Sequence, residues 1–180
     1  MNLKKMNKML KNTTLAVMTV GMIGIGCSNI AEAAQEGYPS VDEVIVNLAN
    51  AQGTIFPIGN PNVAYETHFT GKTFLASLAK DTISVSNVTF TKGAHTYWHI
   101  HHGSCQILVP ESGRGYYQIW GQEAQELLPG KVVTIPEGVK HWHGAAPNSL
   151  MQHLSIMQVK KGVSTEWLEP VDDAFYNKLQ

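Results

Sequence analysis

From Phe69 onward, apolar positions come in short runs in which hydrophobic and polar residues alternate, separated by glycine, proline and asparagine. Runs of this length predict β-strands, and their regular spacing is typical of a sandwich or barrel. The predicted strands are FTGKTFLASLA, ISVSNVTF, TYWHIH, CQILVP, GYYQIW, QELLP, KVVTIP, HWHGAA and SLMQHLSIMQV. Residues 111–113 are among the predicted turns. The pattern therefore predicts an all-β domain.

Two short helices are predicted at the ends of this region. SVDE, from Ser40 to Glu43, has the spacing of a capping box and precedes an amphipathic stretch. Near the C-terminus, VDDAFYNKL has Asp172 and Asp173 at its start and Lys178 near its end. That charge order is the one that a helix dipole favours.

The N-terminus has the layout of an export signal. Four lysines precede an apolar run from Leu15 to Gly26. The run is shorter than the roughly 20 apolar residues that a membrane-spanning helix needs. Two endings remain open, cleavage after Ala33 and a lipoprotein signal ending at Cys27. We therefore expect an exported protein, periplasmic or attached to the envelope, with a lipid on Cys27 as its only possible link to a membrane.

Length and composition suit one compact domain. The 180 residues are 43% hydrophobic and 15% charged. We divide the chain into an export signal at 1–33, an N-terminal extension at 34–68 and a single domain at 69–180. The net charge is −1, and it becomes about −4 without the signal. No basic patch remains that could bind nucleic acid.

Histidines are concentrated in the second half of the chain, which contains seven of the eight. In a strand, residues two apart point to the same face, so His99 and His101 can bind one metal ion together. Gln106 begins the next strand and could reach the same ion, while His141 and His143 repeat the two-residue spacing. Three imidazoles and one oxygen ligand would leave room for water or substrate.

Two motifs carry a family resemblance. GAHTYWHIHHGSCQILVPESG, which ends at Gly113, resembles the first cupin motif, and GKVVTIPEGVKH, which begins at Gly130, resembles the second. The resemblance implies a double-stranded β-helix, a barrel of the jelly-roll type, with one metal in its mouth. By position, it also implies the metal ligands His99, His101 and His141, with Gln106 in place of the usual glutamate.

The glutamine changes the expected chemistry. A neutral amide leaves the full charge on a divalent ion, which makes the ion a stronger Lewis acid. It would also stabilise a higher oxidation state of iron poorly. We therefore expect the ion to polarise a substrate oxygen or nitrile rather than to activate molecular oxygen. Manganese is the expected metal, with iron, nickel and zinc as alternatives.

The letters KHWHGA resemble a group of small bacterial cupins that includes manganese hydroxynitrile-lyase-like and carboxymuconolactone-decarboxylase-associated members. The resemblance implies proton transfer by His143 and His153, with structural hydrogen bonding as the alternative. Met157 stands where the lyase-like members have glutamine. Tyr97 shares the strand parity of His99, so we expect it to line the substrate pocket. Many cupins of this group are dimers, which makes a homodimer the expected assembly.

The leading hypothesis is an exported metal-dependent enzyme that acts on a small organic substrate by lyase or isomerase chemistry. The alternatives are a dioxygenase that uses iron or manganese, a cupin that opens a cyclic sugar acid, and a non-catalytic barrel that binds a small ligand.

Overall fold

The computed structural model describes residues 37–50 and 55–179. The predicted export signal at 1–33 and the candidate lipidation site Cys27 lie outside these residues. Within the described ranges, no helix combines the length and the apolar composition needed to cross a bilayer.

Antiparallel strands dominate the described chain, and an α-helix lies near each end. In chain order the elements are α1 (Val41–Asn50), β1 (Asn60–Pro61), a 3-10 helix (Val63–His68), β2 (Phe69–Thr70), β3 (Thr73–Lys80), β4 (Ile83–Phe90), β5 (His95–Thr96), β6 (His99–His102), β7 (Gln106–Gly113), β8 (Gly115–Ile119), β9 (Gln125–Leu127), β10 (Val133–Ile135), β11 (His141–Ala145), β12 (Met151–Gln158), β13 (Ser164–Trp167) and α2 (Asp173–Tyr176). The predicted all-β fold class is confirmed.

The strands form two sheets that close into a barrel of the jelly-roll type. The first sheet has the order β1-β3-β4-β12-β7-β10. The second has the order β13-β6-β11-β5-β2, with β8 paired to β11 and β9 paired to β8. Side chains from both sheets line one cavity between them. The cavity is therefore built from strands that are far apart in sequence.

Strand alternation decides which side chains reach this cavity. In β4 the even-numbered positions from Ser84 to Phe90 line it. Asn87 has the opposite parity, and its amide donates a hydrogen bond of 2.8 Å to the carbonyl of Pro57. In β12 the odd-numbered Ser155 and Met157 line the cavity.

Three hydrophobic clusters stabilise the barrel. The inner cluster lies between the sheets and contains Val88, Phe90, Ala94, Leu108, Leu127, Ile135, Ala145 and Met151. A second cluster joins the C-terminal segment to Trp98, Tyr116, Trp142 and Ala146 through Val171 and Tyr176. A third packs Val44 of α1 against Ile58 and Phe74. Both terminal segments thus cover apolar side chains of the barrel.

Both predicted helices are present. At the start of α1, the backbone N–H of Glu43 donates to the Ser40 hydroxyl at 3.1 Å. At α2, the Asp172 carboxylate accepts from the backbone N–H of Phe175 at 2.7 Å. The second helix is shorter than its sequence pattern indicates, because it ends at Tyr176.

The predicted strand TYWHIH is interrupted. Tyr97 and Trp98 separate β5 from β6. The backbone N–H of Trp98 donates to the carbonyl of Glu169, and the N–H of Leu168 donates to the carbonyl of Trp98. These bonds tie the interruption to the C-terminal segment, and the Trp98 side chain packs in the second cluster.

The turn predicted at residues 111–113 is wrong, because β7 continues to Gly113. Ser112 and Gly113 pair with Gln152 and Met151 of β12. The bend comes at Gly113, whose φ is 69° and whose added Cβ would lie 2.0 Å from the carbonyl oxygen of Leu150. Glycine is required there by both its backbone conformation and the close approach.

Candidate metal centre

Three histidines converge inside the barrel. His99 and His101 lie on β6, and His141 lies on β11 directly opposite His99. One ring nitrogen of each lies within 4.8 Å of the corresponding atoms of the other two. All three side chains are buried. These residues can therefore bind one metal ion together.

Backbone carbonyls orient two of the three rings. The Nδ1 of His99 lies 3.0 Å from the carbonyl oxygen of Tyr97. The Nδ1 of His141 lies 2.9 Å from the carbonyl oxygen of Val139. A carbonyl can only accept, so Nδ1 carries the proton and Nε2 of the neutral ring keeps its lone pair. This is the usual arrangement of a metal-binding histidine and its outer partner.

A side-chain hydroxyl orients the third ring. The Nδ1 of His101 lies 3.0 Å from Oγ1 of Thr165, which is the cross-strand partner of His101 on β13. The Nε2 of His101 is buried and has no hydrogen-bond partner of good geometry among the described residues. An unpartnered buried nitrogen beside two other imidazoles is consistent with a metal ligand.

Gln106 brings an oxygen to the same place. Its Oε1 lies 3.0 Å from Nε2 of His141, and its Nε2 donates to the Ser155 hydroxyl at 2.9 Å. The Nδ1 of His141 carries the ring proton, because it donates a hydrogen bond to a carbonyl. Oε1 of Gln106 and the unprotonated Nε2 of His141 are therefore both acceptors. Two buried acceptors at this distance repel each other unless a cation lies between them. Metal–ligand bonds of about 2.1 Å allow two ligands of one ion to approach each other to about 3 Å. The four residues therefore fit a divalent cation.

Burial keeps these imidazoles neutral. It lowers the pKa of His99 well below the ordinary value, and the nearby His141 and His101 rings lower it further. Burial also lowers the pKa of His101, and it lowers that of His141 to about 4. At neutral pH the rings can therefore bind a metal without first losing a proton.

The cavity beside the histidines has a volume of about 210 Å³. Its lining combines apolar and aromatic side chains with hydroxyls, amides and imidazoles: Asn62, Tyr65, Phe69, Leu75, Ser84, Ser86, Val88, Phe90, Thr96, His99, His101, Gln106, His143, Ser155, Met157, Thr165 and Trp167. No lysine, arginine, aspartate or glutamate occurs among these described lining residues. An adjoining cavity shares Tyr65, Ser84, Met157, Thr165 and Trp167 with it.

Two further histidines lie next to the cluster. His143 lines the cavity, whereas His153 is fully buried and is not among the described lining residues. Their ring centroids are 5.0 Å apart, and His153 stacks on Phe90 at 5.5 Å. Burial lowers the pKa of both, that of His153 to about 4. Neither ring nitrogen of His153 has a hydrogen-bond partner of good geometry among the described residues.

Comparisons with known proteins agree with this geometry. The model of the cupin domain family matches residues 86–157. The chain is 41% identical to the (R)-mandelonitrile lyase of Granulicella tundricola over 96 residues. These residues are 53% of this chain and 72% of that enzyme. The chain belongs to the cupin superfamily.

Solved cupin structures share the fold. A cupin-like protein from Thermotoga maritima is 37% identical, with a TM-score of 0.65 over 70% of this chain and 96% of its own. A sugar phosphate isomerase of the cupin superfamily from Silicibacter pomeroyi is 16% identical, with a TM-score of 0.50 over 64% of this chain and 73% of its own. The second likeness concerns the fold alone.

The cupin barrel brings together most of the residues that the sequence singled out, but Tyr97 is an exception. It is not among the described residues that line the cavity. The prediction for Tyr97 requires an unbroken strand. The interruption at Tyr97 and Trp98 changes which side chains face the cavity. Thr96 lines the cavity instead, and its hydroxyl accepts a hydrogen bond from the backbone N–H of His143 at 3.1 Å.

Sequence reasoning missed the two hydroxyls that contact the metal ligands. Ser155 could have been found, because it lies two residues after His153 on a predicted strand and so shares its face. Thr165 carries no comparable signal, since its position depends on the pairing of β13 with β6.

The Thr165 hydroxyl should contribute to metal affinity by holding His101. Replacement Thr165→Val keeps the shape of the side chain but removes the acceptor for Nδ1. We expect Mn²⁺ affinity to fall about 10- to 100-fold, measured by competition with a chelator. Thr134→Val, at an exposed position of β10, is the matched control and should bind like the parent. Equal affinity of Thr165→Val and the parent would contradict this role.

The metal-free protein should lose stability on acidification, in part through His153. The pKa of His153 is about 4 in the folded state and about 6.5 in the unfolded state, so only the unfolded chain binds this proton between those values. The free energy of unfolding is therefore highest above pH 6.5 and falls as the pH drops towards 4, by about 3 kcal/mol from this group. Urea unfolding at several pH values measures the loss.

His153→Leu should flatten that dependence. The variant should match or exceed the parent in stability at pH 7, because it removes two buried nitrogens that have no partner of good geometry among the described residues. An unchanged pH dependence in His153→Leu would show that His153 titrates normally.

Proposed function

We propose that this cupin is a metal-dependent lyase for small neutral compounds that carry a hydroxyl or carbonyl group. The main support is the combination of four uncharged ligands with a cavity whose described lining contains no charged side chain. The similarity to (R)-mandelonitrile lyase supports the same reaction class.

Three histidines and Gln106 would hold the divalent ion, for which manganese is the first candidate and iron, nickel and zinc are the alternatives. Such an ion acts as a Lewis acid towards a substrate oxygen. Gln106 contributes a neutral amide oxygen, so the protein itself adds no negative charge to the centre. Thr165 and Ser155 are hydrogen-bonded to His101 and Gln106, respectively.

The cavity limits the size and charge of the substrate. An apolar cavity of about 150 Å³ can hold benzene. The cavity of this cupin, at about 210 Å³, has room for a ring of that size and one small polar group. Phe69, Phe90 and Trp167 provide aromatic surface. A carboxylate or phosphate remote from the metal would find no basic partner in the described lining, so a neutral substrate fits best.

His143 is the proposed proton acceptor. It lines the cavity, and burial together with His153 lowers its pKa, so its ring is neutral at pH 7. A neutral imidazole can take the proton of a substrate hydroxyl as the carbonyl forms and the adjacent C–C bond breaks. It can then give that proton to the departing cyanide or carbanion, so that both products leave neutral. His153 lies beside His143 and keeps that ring in an environment that disfavours a lasting positive charge.

Met157 distinguishes this cupin from the lyase-like members with glutamine at that position. Met157 lines the cavity, and its thioether is at most a weak hydrogen-bond acceptor. Gln158, the next residue, is exposed. We therefore place the substrate class at neutral hydroxyl and carbonyl compounds in general, and we include cyanohydrins as the first members to test.

The proposal is tested with the Mn²⁺-loaded protein and a panel of neutral aromatic and aliphatic cyanohydrins and β-hydroxy ketones. Aldehyde or ketone release is the measured signal. We expect turnover by the parent and a fall of about 100-fold or more in kcat/KM for His143→Ala, with metal content unchanged. His102→Ala, at an exposed position, is the control. Absence of turnover across the panel, or full activity in His143→Ala, would contradict the proposed function.

A further inference from the structure

Gln106 differs from the three histidines in one respect, since the two ends of its side chain have nearly the same shape but opposite hydrogen-bonding character. The carbonyl oxygen can bind a cation, whereas the amide nitrogen carries two hydrogens and cannot. Rotation of the amide by half a turn would therefore convert a ligand into a group that excludes the metal. Some neighbouring group must make the oxygen-inward orientation favourable.

Ser155 is the neighbour in contact with the outer end of this amide. In the pairing of β7 with β12, Met157 is opposite Gln106 and Ser155 is opposite Leu108. Ser155 is thus a diagonal neighbour of Gln106, and both line the cavity. The amide nitrogen of Gln106 donates to the Ser155 hydroxyl at 2.9 Å while Oε1 faces His141 at 3.0 Å.

We propose that Ser155 is a positioning residue, whose hydroxyl accepts from the Gln106 amide and so keeps its carbonyl oxygen directed at the three histidines. This inference rests on the metal centre of the proposed function. Without the hydroxyl, an inward oxygen would leave the amide N–H without this acceptor in a buried environment. In the rotated orientation the amide would donate to the lone pair on Nε2 of His141, and only its carbonyl oxygen, to which the Ser155 hydroxyl can donate, would lose a partner. A buried carbonyl oxygen without a partner costs less than a buried N–H without one. Loss of Ser155 therefore favours the orientation that excludes the cation.

A change at position 106 distinguishes an orienting role of Ser155 from general structural support. A glutamate at position 106 has oxygens at both ends, so either orientation presents a ligand. The effect of Ser155 on metal affinity should therefore be large with glutamine at position 106 and small with glutamate. A serine that only supported the strand would matter equally in both backgrounds.

The test measures Mn²⁺ affinity of the metal-free protein by chelator competition, with the electron paramagnetic resonance spectrum of bound Mn²⁺ as a second readout. We expect Ser155→Val to bind about 10- to 100-fold more weakly than the parent and Ser155→Thr, which keeps the hydroxyl, to bind like the parent. Ser86→Val is the matched control for Mn²⁺ affinity, which it should leave at the parental value. Ser86 is the cross-strand partner of Ser155 and lines the same cavity.

In the Gln106→Glu background, the further change Ser155→Val should alter affinity by no more than about threefold. Parent-like affinity and spectrum in Ser155→Val would overturn the inference, as would an equal loss in both backgrounds. Turnover of the cyanohydrin panel is measured on the same samples. Inactive protein that still shows the Ser155 effect would contradict the lyase proposal alone, whereas active protein without that effect would contradict the positioning role alone.

Discussion

The metal centre depends on the approach of two buried acceptors, Oε1 of Gln106 and Nε2 of His141, to 3.0 Å of each other. Neither atom has a proton to offer, since the ring proton of His141 is on Nδ1, which donates to the carbonyl of Val139, and Oε1 of Gln106 is a carbonyl oxygen. Such an arrangement is unfavourable by itself and becomes favourable with a shared cation. The surrounding barrel can be understood as the structure that holds these acceptors together.

Two antiparallel sheets provide that support. The residues involved belong to β6, β7, β11, β12 and β13, and strand pairing fixes which of them meet. Burial lowers the pKa of the imidazoles and so keeps them neutral. Charge is absent from the rest of the described cavity lining as well, which favours a neutral substrate.

Much of this arrangement could be predicted from the sequence, because strand alternation puts His99 and His101 on one face and the resemblance to the cupin motifs implies His141 and Gln106 as their partners. Features that depend on the pairing of distant strands could not be predicted in this way. The contact of Thr165 with His101 requires β13 to lie beside β6. The interruption that removes Tyr97 from the cavity arises from bonds to the C-terminal segment. Alternation fails as a guide wherever tertiary contacts break a strand.

The most direct test of the account is the metal content of the protein, purified without a histidine-rich tag and measured by elemental analysis. The parent should contain about one equivalent of a divalent metal, and the double variant His99→Ala/His141→Ala should contain almost none. His68→Ala/His102→Ala, which lies outside the cluster, should keep the parental content. Absence of metal from the parent, even after reconstitution, would contradict the metal centre and leave a histidine-lined binding barrel as the better description.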